Sequence, residues 1–103
     1  MFTTKDIYLL HDPYFIQLRK TESYYELQSI STKHCWIISK AQIPEHKPIT
    51  IYHKHSLKTT YYHKHRHVNT ISQALTQIKS HDHYVLHPED YTFSRYELQK
   101  YSK

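Results

Sequence analysis

An α+β domain, an antiparallel sheet of about five to six short strands covered on one face by one helix, follows from three features of the sequence. Short β-branched and aromatic runs separated by turn residues fill the first two thirds of the chain. A capped helical period, Ile71, Ala74, Leu75 and Ile78, comes only after them. The connections between the runs are too short for crossovers, so neighbours in sequence should pair as a meander.

The runs are read in order. Asp6-Ile7-Tyr8-Leu9-Leu10 is an extended segment ended by His11-Asp12-Pro13, where proline presets φ and aspartate bonds its own backbone. Tyr14 to Lys20 alternates, with Tyr14, Ile16 and Leu18 on one face. Tyr24 to Ile30 alternates again, and His34-Cys35-Trp36-Ile37-Ile38-Ser39 is the fourth run, with Trp36 as an anchor of the core. Ala41 to Pro48, with two prolines, is a loop. Ile49 to His55 and Thr59 to His65 form a hairpin joined around Ser56-Leu57-Lys58, with a loop of three to five residues because no glycine is present for a two-residue primed turn. Asn69-Thr70 starts the helix, with Thr70 and Gln73 matching a capping box. Tyr84-Val85-Leu86 reads as a last strand stopped by Pro88, and Phe93, Tyr96, Glu97, Lys100 and Tyr101 as a short amphipathic helix or tail.

Composition narrows function by exclusion. With 103 residues the chain holds one core, and a single domain over residues 1–103 is expected. Glycine is absent. That removes the phosphate-cradling loops and nucleophile elbows whose backbone requires a residue without Cβ. Cys35 is the only cysteine and cannot form an internal disulfide, the start Met1 to Asp6 does not read as a signal peptide, and no apolar run approaches a bilayer span. These point to an intracellular, cytoplasmic protein without membrane contact. Scarce Ala and Arg beside abundant Lys, Ile and Tyr fit an AT-rich genome, such as that of a low-GC bacterium and its phages or plasmids.

The formal charge is +5 at pH 7 with His neutral, which favours an anionic partner. From His46 to His67 there are four Lys, one Arg, six His and no acid, and Tyr-His-Lys-His occurs twice, at Tyr52 and at Tyr62. Alternation sets His53 and His55 opposite Tyr52 and Lys54, and His63, His65 and His67 opposite Tyr62, Lys64 and Arg66. Cations neutralise phosphates and rings stack on unpaired bases, so Lys47, Tyr52, Lys54, Lys58, Tyr62, Lys64 and Arg66 are the candidate contacts with nucleic acid or a nucleic-acid-handling protein. The expected function is a small non-enzymatic binding protein. A phage- or plasmid-encoded inhibitor of a host nucleic-acid machine, for instance an anti-CRISPR protein, is its concrete form. A solvated edge hairpin carrying lysine against aggregation is the plainer account.

Two alternatives come from the same stretch. His-x-His on facing strands can direct His53, His55, His63 and His65 at one zinc ion, although no carboxylate lies in the segment to orient the far ring nitrogens. A metal-independent ribonuclease needs only an acid, a base and a phosphate clamp, and the hairpin has the residue types. His81-Asp82-His83 reads as helix-terminal charge complementing the dipole, and Cys35 as core.

Overall fold

The computed structural model describes residues 1–42 and 46–90. The order is α1 (Thr4–Leu10), β1 (Phe15–Lys20), β2 (Tyr24–Ser29), β3 (Cys35–Lys40), β4 (Ile49–Lys54), β5 (His63–Val68) and α2 (Ile71–Leu86). The strands form one antiparallel meander, β1-β2-β3-β4-β5, and α2 packs on it, giving the α+β fold. No helix among the described residues is long and apolar enough to cross a membrane.

One face of the sheet makes the core. The cross-strand rows Leu27–Trp36–His53 and Tyr25–Ile38–Ile51 run across β2, β3 and β4 on this side. Ile71, Ala74, Leu75 and Ile78 of α2 close over them, as the helical period predicts. Trp36 is fully buried, and its indole N–H donates to Ser29 Oγ at 3.0 Å, so its one polar atom is satisfied. Thr70 caps α2 by accepting from the Gln73 amide, while the Gln73 side chain accepts from the Asn69 amide.

Four expectations need correction. Residues 4–10 are a helix rather than a strand: Thr3 Oγ1 accepts from the Asp6 amide, the Asp6 carboxylate accepts from the Thr3 amide, and this reciprocal cap outweighs β propensity in Ile7 and Tyr8. In β1 the buried residue is Phe15, and Ile16 is exposed. A bulge at Leu18, between the pairs Gln17–Leu27 and Arg19–Glu26, resets the alternation. Tyr84-Val85-Leu86 is the last turn of α2, whose buried stripe continues from Ile78 to Asp82. The second hairpin arm is His63–Val68, not residues 59–65, because pairing with β4 ends at His53–His63. The C-terminal segment from Phe93 to Tyr101 lies outside the described residues.

Two salt bridges tie the N-terminal region to the rest. Lys40 Nζ lies 2.7 Å from Asp6, joining β3 to α1, and Lys79 Nζ lies 2.7 Å from Asp12, joining α2 to the turn after α1. Both hold their carboxyls below the usual aspartate range, against the opposing effect of burial.

A chain without glycine must place other residues in left-handed backbone, and Lys33 does so at φ 68° in the turn between β2 and β3. Its amide donates to Ser29 O at 2.9 Å, which fixes the conformation. Lys33→Asn should stabilise the protein by about 0.5 kcal/mol and Lys33→Val should destabilise it by about 1–2 kcal/mol in urea unfolding, because asparagine tolerates this region and a β-branched residue does not.

Candidate functional site

Strict alternation along β4 divides its side chains. Ile49, Ile51 and His53 are buried toward α2, while Thr50, Tyr52 and Lys54 lie half-buried on the other face. Register carries the division into β5: His63 pairs with His53, Lys64 with Tyr52, Arg66 with Ile51, and His67 with Thr50. His65 has no partner across the hairpin and forms a bulge, which corrects the expected faces. After it, Arg66 lies on the helix side, bonded to Gln77 Oε1 at 2.8 Å, and His67 lies on the open side, 3.1 Å from Thr50 Oγ1.

The link between the arms spans residues 55–62, longer than expected, and turns through a Thr59 amide bond to Ser56 O. Tyr61 within it is 82% exposed. Tyr62 folds onto the open face, where its hydroxyl donates to Glu26 Oε2 at 2.6 Å and Lys54 Nζ sits 4.6 Å from its ring centroid. Burial, and then the Glu26 hydrogen bond, push the Tyr62 hydroxyl well above the ordinary tyrosine range.

The predicted contact residues therefore fall into two groups. Tyr52, Lys54, Tyr62 and Lys64 share the open face, joined by Tyr24 of β2 and Arg19 of β1, whose guanidinium is 3.4 Å from the Tyr24 hydroxyl. Lys47 and Arg66 sit beside the start of α2, and Lys58 is exposed in the link. Glu26 is the one acid among the described strand residues of this face, and its carboxylate accepts from Tyr62. No helix among the described residues covers the face. Cys35 is fully buried, and its thiol is pushed up mainly by burial, which disfavours the thiolate.

The opposite side of the hairpin holds a histidine cluster. The structure brings together the four predicted imidazoles, His53, His55, His63 and His65, and adds two from outside the hairpin. His34 enters from the turn before β3 and His81 from α2. Every one of the other five rings has its centroid within 5.9 Å of a His53 centroid that is itself 4.3 Å from Trp36. His34 Nδ1 and His53 Nε2 are 2.8 Å apart, one donating and the other accepting. Beside them Asp82, fully buried, accepts from the Tyr14 hydroxyl at 2.6 Å and the Thr32 hydroxyl at 3.0 Å. Burial and the Asp82 hydrogen bond push the Tyr14 hydroxyl up to about 12.

Desolvation is the main reason four of these imidazoles, His34, His53, His65 and His81, resist protonation, followed at His34, His53 and His81 by the charge that neighbouring rings would carry and at His65 by Arg66. His53 is lowered to about 3, and His34, His65 and His81 are also lowered. At 3% exposure His53 cannot reach a phosphodiester, which leaves the ribonuclease alternative without a base at that position.

A signal for His81 and Asp82 is present in the sequence. Continuing the period of Ile71, Ala74, Leu75 and Ile78 by three and four residues lands on them. His34 has none, since its place depends on the turn geometry.

The unfolded chain binds protons at His53 from about pH 6.5 downward, whereas the folded chain does so only near pH 3, so stability is present above pH 6.5 and is lost as pH falls through that window. The metal-free protein should lose about 1–2 kcal/mol between pH 7 and pH 5 in urea unfolding, and His53→Gln should flatten that slope. Protein-family models, curated proteins and solved structures offer no match to this chain, so its function is read from the two faces of the hairpin alone.

Proposed function

We propose that the protein binds single-stranded nucleic acid on the open face of its sheet. The observation that supports this reading is the grouping of Tyr24, Tyr52 and Tyr62 with Arg19, Lys54 and Lys64 on one uncovered sheet surface whose described acid, Glu26, is already engaged. Flat sheets bearing aromatic rings suit unstacked bases, because every base has a π-face, and lysine or arginine between the rings meets the phosphates. Tyr24 and Tyr52 supply the stacking surface. Tyr62 is a positioning residue, since its hydroxyl and ring are held by Glu26 and Lys54. Lys58 and Tyr61, exposed in the link, extend the surface beyond the strand ends, and Lys47 and Arg66 add positive potential at the rim near α2.

The chemistry this surface supports is binding without bond cleavage. A protein of this kind carried by a phage or plasmid would act by covering the nucleic acid on which a host machine depends, and an anti-CRISPR role is one form of this.

Anisotropy of a labelled twelve-nucleotide single strand, measured across salt concentrations, tests the reading. Tyr52→Ala should weaken binding by about 5- to 100-fold, the range for one stacked base. Lys54→Ala with Lys64→Ala should lower the salt slope by about 0.7 for each phosphate no longer neutralised. Absence of binding at 50 mM salt, or affinity unchanged in both variants, overturns it. So does salt-independent association with a nucleic-acid-handling protein in place of the oligonucleotide.

A further inference from the structure

We infer that His34, His53 and His81 form a binding site for one transition-metal ion of the zinc class. The candidate ligand atoms of the three side chains all lie within 4.8 Å of one another. Zinc–nitrogen bonds of about 2.0–2.1 Å in tetrahedral geometry place ligand nitrogens roughly 3.3 Å apart, so small rotations of these rings suffice to enclose the ion. They come from three separate pieces of the fold, the turn before β3, strand β4 and helix α2.

Two further observations point to a cation at this place. His81 Nδ1 is the one buried side-chain polar atom among the described residues without a hydrogen-bond partner, and a buried nitrogen left so is costly. Asp82 lies 3.8 Å from that nitrogen, fully buried, with two hydroxyl donors and neither Lys nor Arg bonded to it among the described residues. A carboxylate so placed compensates a divalent cation held by neutral ligands. Imidazole donors without oxygen ligands select zinc, copper or nickel over magnesium or calcium, and Cys35 on the other sheet face is excluded from the set.

His34 binds through Nδ1 and His53 through Nε2, the two atoms now sharing a proton at 2.8 Å. On metal entry that proton leaves the shared position and the ring that carried it takes up a proton at its far nitrogen, so both rings stay neutral and both lone pairs face the ion. His55 and His65 flank the site, His55 with its ring centroid 5.1 Å from that of His34 and His65 5.6 Å from that of His81, on the more exposed side from which an ion enters. The fourth position is left to water.

The full chain, stripped with chelator and titrated with Zn²⁺ by calorimetry and with Co²⁺ by visible absorption, decides the matter. The expected result is one ion per chain, with the visible bands of a tetrahedral Co²⁺ centre and a raised melting midpoint with Zn²⁺ but not Mg²⁺. His81→Gln, on a partly exposed helix position, should keep the fold by circular dichroism and weaken Zn²⁺ binding by about 100-fold, and His34→Gln should do the same, whereas His67→Gln should bind as the parent does. Failure to bind Zn²⁺ below about 0.1 mM overturns the site. It is also overturned if His55→Gln, His63→Gln and His65→Gln together abolish binding while His34→Gln and His81→Gln do not. Oligonucleotide affinity on the opposite face is a separate readout, so the two readings stand or fall independently.

Discussion

The alternation of side chains along β4 is the constraint from which both surfaces of this protein arise. Six residues, Ile49 to Lys54, send every second side chain under α2 and every other one to the open face. A slip of one residue would carry Lys54 into the core and His53 into solvent. That exchange is opposed from both directions, since burying an unpaired ammonium is costly and Ile49 and Ile51 would lose their packing against α2. The pairing of Trp36 with His53 and of Ile38 with Ile51 pins the same register from the β3 side.

This division lets one hairpin carry two chemistries. Imidazoles gather around Trp36, and burial there disfavours the charged form of His34, His53 and His81. Ammonium groups lie on the opposite side, where Tyr52 and Tyr62 give them apolar support. Repetition of Tyr-His-Lys-His gives both arms the same division up to His65, and the bulge there turns Arg66 to the helix side and His67 to the open side.

Much of this is legible in the sequence. Patterns with a local cause are the most readable: the α2 stripe, its Thr70 cap, the meander implied by short links, and the four-histidine group in the hairpin. What escapes depends on contacts remote in sequence or on rival local rules. The Thr3–Asp6 cap uses a shorter acid than the usual glutamate, and so the apolar residues after it look extended. The bulges at Leu18 and His65 cannot be seen in a single strand, because they exist only relative to a partner. His34 and His81 are separated from the hairpin by a turn and a helix, and only tertiary packing makes them its neighbours. Asp82, the buried carboxylate beside the rings, likewise lies outside the hairpin segment.

The position of Trp36 has a practical consequence. Being the sole indole of the chain and lying against His53, it makes fluorescence a direct optical report on the interior. An imidazolium quenches a stacked indole by accepting an electron from its excited state, and an open-shell ion such as Cu²⁺ does so more strongly. Emission from a protein with no added dye thus follows what happens among the rings beneath α2.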